Sequence, residues 1–244
     1  MQLVNRTLKA LTFLSSEPAG LSVSDLSAML DIPASSTHRV LTSLKENHFI
    51  IQDEDTKKYK VGYKLFTLCS GITKNNSLIT SARPVMKELS KKLDKTIVLC
   101  VMENSHIICV DYIENKDTSM YMVKLGYKMP LHSTSAGKVF SAYMDRETAK
   151  QELSKQITEA ATPYTITNME KICKELDEIK QKGYAVCDEE LQLGIQGIAC
   201  PIFDINHEVA AVISFATLKS DDFITEQTIS ALKNSALTIS KLIG

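Results

Sequence analysis

The side chains most suited to chemistry cluster between residues 35 and 42. Ser35, Ser36, His38, Arg39 and Thr42 are small, hydroxylated or basic, and no acid interrupts them before Glu46. Wound as a helix at about 100° per residue, Ser35, Arg39 and Thr42 share one side, with Ser36 and His38 on its flanks. Thr37, Val40, Leu41 and Leu44 fall opposite and must pack. Such a polar face can enter a major groove, donate to phosphates and set one arginine against the paired acceptors of guanine. A solvated helix face is the plain alternative. The residues that follow favour DNA: Phe49-Ile50-Ile51-Gln52, the polar run 53–58, then Tyr59-Lys60-Val61 read as strand, turn and strand. A hairpin directly after a short helix-turn-helix is a wing, and Lys57 and Lys58 near its tip would meet the phosphate backbone.

Elsewhere the chemistry is thinner. Six cysteines, Cys69, Cys100, Cys109, Cys173, Cys187 and Cys200, are scattered without CxxC spacing. A chain of this length builds a core without disulfides, so they read as reduced thiols of a cytoplasmic protein, most of them small buried hydrophobes. Asp188-Glu189-Glu190 reads as a solvated turn following a helix that ends at Gly183. A Cys/His/Glu metal site using His132 and Cys187 lacks recognised zinc spacing. Cysteine nucleophile chemistry needs a nearby base and an oxyanion hole, arrangements that spacing alone does not show, and the DNA module makes an enzyme reading unnecessary. No catalytic residue, metal or cofactor is expected.

The positioning elements follow from periodicity and breaks. A first helix over 4–14 presents Val4, Leu8, Leu11 and Leu14, and Pro18 and Gly20 end it. Ser22 with Asp25 forms a capping box for a second helix, whose buried side is Leu26, Met29 and Leu30. Pro33 sits in the first turn of the third helix, 33–47. A linking helix covers 64–71, Asn75-Asn76-Ser77 interrupts it, and Leu78, Ala82, Met86, Leu89 and Leu93 mark a long amphipathic helix. β-rich stretches at 96–102, 107–113, 120–123, 198–203 and 209–216 are interspersed with helices at 133–144, 146–155, 169–182 and 225–242. Thr167 with Glu170 reads as the cap of the helix at 169. The 244 residues therefore divide into a winged helix-turn-helix over 1–63, a linker helix over 64–77 and an α+β sensor-type domain over 78–244, with a largely antiparallel sheet. Residues 1–75 hold nine basic and seven acidic side chains, the remainder 19 and 22, and the net charge of −1 argues against indiscriminate nucleic-acid binding. No run of about 18 apolar residues predicts a membrane span, and the first residues lack a signal-peptide hydrophobic region.

Three stretches, in order, resemble the IclR family of bacterial transcription regulators over essentially the whole chain. They are IPASSTHRVLTSLKENHFI followed by YKVGYKLF; GYKMPLHSTSAGKVFSAY, close to an LHATALGKA-like signature; and GYAVCDEELQLGIQGIACPIFD, where the family shows an acidic pair, a glycine and then IA-PI. The resemblance implies a winged helix-turn-helix, a connecting helix and an effector-binding domain related to the GAF fold. It also implies dimers that often pair into tetramers, palindromic double-stranded operators and control by small organic acids. Carried over residue by residue, the pocket takes the backbone N–H groups of Ser135 and Ala136 with Cys187, Gly197, Ser214 and Ala216, and Tyr121 and Met129 form apolar walls. A helix opening at HSTSAGK suits an anion, because its first N–H groups lack helical partners. Gly126 and Gly137 read as backbone or packing positions. Members that take very small keto acids carry an acid, a thiol and a hydroxyl where this chain has Cys187, Gly197 and Ala216. That departure implies a wider, less polar pocket and an effector larger than glyoxylate or pyruvate. The expected function is a sequence-specific regulator, repressor or activator, whose operator affinity a small organic acid controls. The alternatives are an enzyme or metal-binding sensor domain carrying a DNA-binding module, or an architectural DNA binder with an inert effector domain.

Overall fold

In the computed structural model, which describes residues 2–115, 124–157, 160–220 and 224–244 (without the side chains of 72–75), the chain divides into two units, Met1–Asn75 and Asn76–Gly244. The first holds α1 (Gln2–Ser16), α2 (Val23–Leu30), α3 (Ala34–Glu46), a hairpin of β1 (Ile50–Gln52) and β2 (Tyr59–Val61), and α4 (Lys64–Asn75). Local hydrogen bonds set the starts and stops. The Ser22 hydroxyl accepts from the Asp25 N–H while the Asp25 carboxylate accepts from the Ser22 N–H, the capping box expected of this pair. Asp31 ends α2 in the left-handed region, φ 52°, and the chain turns at once into Pro33, which stands at the N-cap of α3 rather than in its first turn. Thr37, Val40, Leu41 and Leu44 are buried as the α3 periodicity requires. The apolar members of that set meet Ala10, Leu14, Leu26, Ile50 and Tyr59 in a small core. Helices α1 and α2 bury less than their patterns suggest: Val4, Leu8 and Met29 are exposed. The first turns of α1 overhang a core that Ala10 and Leu14 already reach.

The second unit holds α5 (Ser77–Leu93), β3 (Ile97–Glu103), β4 (His106–Ile113), β5 (Lys128–Met129), α6 (Ser135–Tyr143), α7 (Arg146–Gln156), α8 (Met169–Lys182), β6 (Ala185–Asp188), β7 (Ile195–Phe203), β8 (Val209–Leu218) and α9 (Glu226–Ile243). The six strands form one antiparallel sheet in the order β5-β4-β3-β8-β7-β6. Alternation along each strand divides the core. Ile97, Leu99, Ala211 and Ile213 pack with α5 and α9, while Val98, Cys100, Ala199 and Val212 pack with α6, α7 and α8. Both faces are covered, so the central strands read as nearly continuous apolar runs. The arrangement is the α+β fold expected, with several local differences. Strands β5 and β6 have no counterpart in the sequence reading, and β7 begins at Ile195 rather than 198. The cap of α8 is Asn168, whose side chain accepts from the Lys171 N–H, instead of Thr167 with Glu170. Gly183 closes that helix at φ 71°. The strand expected at 120–123 lies outside the described residues. No described helix is long and apolar enough to cross a membrane.

Candidate DNA-contact face and effector cavity

In the first unit Ser35, His38, Arg39 and Thr42 are exposed on α3, with Ser36 half-buried beside them. The buried face of α3 orients this opposite face outward, and His38 Nδ1 lies 3.3 Å from the Thr42 hydroxyl. Beyond the helix, Asp53 shapes the wing turn. Its carboxylate accepts from the Thr56 N–H at 2.9 Å and the Thr56 hydroxyl at 2.8 Å. These bonds hold its carboxyl below the ordinary range. The Lys57 N–H donates to the Asp53 carbonyl at 3.0 Å, and Lys57 sits at φ 56°. Lys57 is exposed and Lys58 half-buried. Sequence reasoning missed Gln52. It accepts from Lys45 Nζ at 3.0 Å and donates to the Lys57 carbonyl at 3.1 Å, tying the end of α3 to the wing.

In the second unit seven of the eight effector residues carried over by resemblance, Met129, Ser135, Ala136, Cys187, Gly197, Ser214 and Ala216, line one cavity of about 70 Å³. Tyr121, the eighth, lies outside the described residues. Strand register assembles the floor. Cys187 pairs with Gly197 and Gly197 with Ala216 across three strands, and Ser214 sits between Ala199 and Val98. Above it stands the N-terminus of α6. The Thr134 hydroxyl caps the helix, accepting from the Gly137 N–H at 3.0 Å and donating to the Pro130 carbonyl at 2.7 Å. The Ser135 and Ala136 N–H groups ahead of it have no acceptor among the described residues. Two N–H donors at the positive end of a helix dipole favour an anion.

The widening expected at Gly197 is limited by α6. A Cβ there would come 3.2 Å from the Ser135 hydroxyl, so the first residue of α6 narrows the space that glycine leaves. Gly137 works similarly: a Cβ there would lie 2.6 Å from both the Leu131 Cα and the Pro130 carbonyl oxygen. The remaining polar groups are neutral. The Cys187 thiol donates to the Ser133 carbonyl at 3.1 Å, and burial pushes its pKa up. Burial likewise pushes up the Cys100 thiol, which shares a hydrogen bond with Ser214. Cys109 and Cys200 are buried too, but Cys69 is exposed and Cys173 half-buried.

The acidic trio is not a solvated turn. Asp188 is exposed, whereas Glu189 and Glu190 are buried. Lys138, a residue the sequence reading passed over, is 2% exposed and reaches Glu190 at 2.5 Å, Glu175 at 2.6 Å and the Val186 carbonyl at 3.2 Å. Burial opposes its charge, and the two carboxylates overcome that and hold its pKa above the ordinary value. These partners lie 37 and 52 residues away, and no local pattern signals such a cluster. Lys219 pairs with Glu189 at 2.5 Å and Asp188 at 3.1 Å. Among the described residues no group of three or more His, Cys, Asp or Glu is placed to hold a metal.

Residues 70–241 match the family model described as bacterial transcriptional regulator IclR C-terminal, and residues 3–54 match the IclR helix-turn-helix domain. The chain is 31% identical over 230 residues to the HTH-type transcriptional regulator KdgR of Dickeya chrysanthemi, covering 93% of this chain and 75% of that protein. It is 26% identical to the transcriptional repressor IclR of Escherichia coli strain K12, over 93% and 84% of the two chains. Among solved structures, IclR of Thermotoga maritima matches with a TM-score of 0.75 at 28% identity, over 99% and 98% of the chains. An IclR regulator from Alicyclobacillus acidocaldarius matches with a TM-score of 0.86 at 25% identity, over 100% and 99%. The named relatives are regulators, and the enzyme alternative falls with them. With both family models matched in order along a helix-turn-helix unit and an antiparallel-sheet unit, the chain belongs to the IclR family of DNA-binding bacterial transcriptional regulators.

Proposed function

We propose that this regulator binds a palindromic operator in the cytoplasm, as a homodimer or homotetramer, and that a small organic acid controls its operator affinity. Ser35, Ser36, His38, Arg39 and Thr42 read the major groove, Lys57 and Lys58 hold the backbone, and residues 64–77 serve as the linker between the winged helix-turn-helix (1–63) and the effector domain (78–244). The observation that carries the effector reading is the pair of N–H donors at Ser135 and Ala136, opening onto a cavity with Ser214 in its lining. The acid's carboxylate sits on those donors, with the Ser214 hydroxyl opposite. A volume of about 70 Å³ supports a compact acid of a few non-hydrogen atoms rather than the larger one that Gly197 and Ala216 suggest by sequence. Occupancy changes DNA affinity only insofar as the acid prefers one of two states of the protein.

The test is calorimetric titration of small carboxylates into wild type, Ser214→Ala and Ala136→Pro, alongside operator gel shifts. Proline deletes one donor and can disturb the helix start, so circular dichroism of that variant comes first. Both variants are expected to bind the acid at least several-fold more weakly. An acid that binds all three proteins equally well rules this site out.

A further inference from the structure

The proposed anion end of the cavity is electrostatically one-sided. At the α6 N-terminus two backbone donors welcome a carboxylate. None of the described lining residues, including Val98, Met129, Leu191 and Ile195, carries an ionisable cation. The wall around Cys187 is backed by acid. Cys187 and Leu191 line the cavity, and Glu190, between them in the chain, turns away to Lys138. The two lysines on this side are already engaged, Lys138 by Glu175 and Glu190, Lys219 by Asp188 and Glu189. Four carboxylates thus face two ammonium groups. The second Glu190 oxygen, Oε2, is buried without a hydrogen-bond partner among the described residues.

A second carboxylate on the effector would meet this wall. It would leave water, find no cation among the described lining residues, and approach an excess of like charge in a medium that screens weakly. A monocarboxylate with a neutral body meets none of these costs. We propose that the cavity selects monocarboxylates against dicarboxylates of the same length, and that the Glu190–Lys138–Glu175 cluster behind Cys187 sets that selectivity. Glu190 and Glu175 are here positioning residues that act through the field at the cavity wall, with no contact to the acid. Burial pushes the Glu190 carboxyl up, and the Lys138 ammonium opposes that shift.

This inference rests on the carboxylate reading of the cavity, and the experiment separates the two. Matched pairs (propionate and malonate, butyrate and succinate, 2-oxobutyrate and oxaloacetate) are titrated into wild type, Glu190→Gln and Glu175→Gln. Wild type is expected to favour the monocarboxylate of at least one pair by tenfold or more. Removing one negative charge should shrink that ratio several-fold, a change that loss of packing alone would not produce because it weakens both acids together. Glu175 is partly exposed, so its variant keeps the test open if Glu190→Gln does not fold. Dicarboxylates that bind as tightly as their partners in every pair that binds, or a ratio unchanged in the folded variants, overturn the selectivity and leave the carboxylate reading standing. Failure of every acid to bind wild type overturns both.

Discussion

At the scale of single residues, the proposed DNA face separates two kinds of contact with different measurable signatures. Arg39 is exposed on α3 opposite the buried Thr37, Val40, Leu41 and Leu44. Replacing it with alanine should cost roughly 1–3 kcal/mol on the specific operator if it pairs with guanine, with folding unchanged. Equal operator affinity in a gel-shift titration would remove Arg39 from the reading face. Lys57 and Lys58 sit on the wing turn, where phosphate contacts release counterions and carry little sequence information. Their double alanine variant should weaken specific and non-specific DNA alike and flatten the salt dependence. A loss confined to the specific site would mean that the wing reads bases. The exposure of Arg39 was legible in the sequence because the burial of α3 follows a local period, and Gln52 was not, because its bridge to Lys57 depends on how the hairpin turns back.

At the scale of elements, α6 concentrates the constraints. Gly137 lies against the Leu131 and Pro130 backbone, which has no flexible side chain to move aside. Gly137→Ala should destabilise the protein by roughly 1–3 kcal/mol, through displacement of the helix start. Urea unfolding checks this, and an unchanged midpoint would show that α6 tolerates the shift. The segment leading into α6 also carries a pH dependence. Burial, and then the charge of Lys138, lower the His132 pKa. The native state therefore prefers neutral imidazole. Its contribution is full above the unfolded value near 6.5 and is lost as pH falls from there toward the lower native pKa. His132→Asn should lose less stability than wild type between pH 7 and 5. Parallel melting curves for the two proteins would contradict this.

At the scale of the whole molecule, regulation requires a coupling free energy between cavity and DNA face, and linkage makes it reciprocal. If a carboxylate changes operator affinity by some factor, operator DNA must change carboxylate affinity by the same factor. Titrating the acid with and without operator, and the operator with and without acid, should return one number. Two different factors would mean that the acid acts at a second site or changes the oligomeric state. Matches of both family models in order along the chain support assigning DNA binding to the first unit and effector binding to the second.

What the sequence determined by itself was local in origin. The burial of α3, the Ser22–Asp25 box, the Gly183 stop and the strand-turn-strand of the wing all depend on residues within about one turn or one hairpin of each other, where spacing alone dictates geometry. The helix opening at HSTSAGK was legible for the same reason. Only tertiary structure decided the rest. Val4, Leu8 and Met29 repeat like core residues yet stay exposed, because burial needs a surface to pack on and the small core ends before them. Gly197 reads as open space, but strand β7 brings it under Ser135, which narrows that space. Glu190 reads as a surface acid, and becomes a buried partner of Lys138 because α6, α8 and the end of β6 converge from positions 37 and 52 residues apart. Composition and period carry no record of such distances. Only the folded chain brings these charges together, and their mutual attraction is then set against the cost of desolvation.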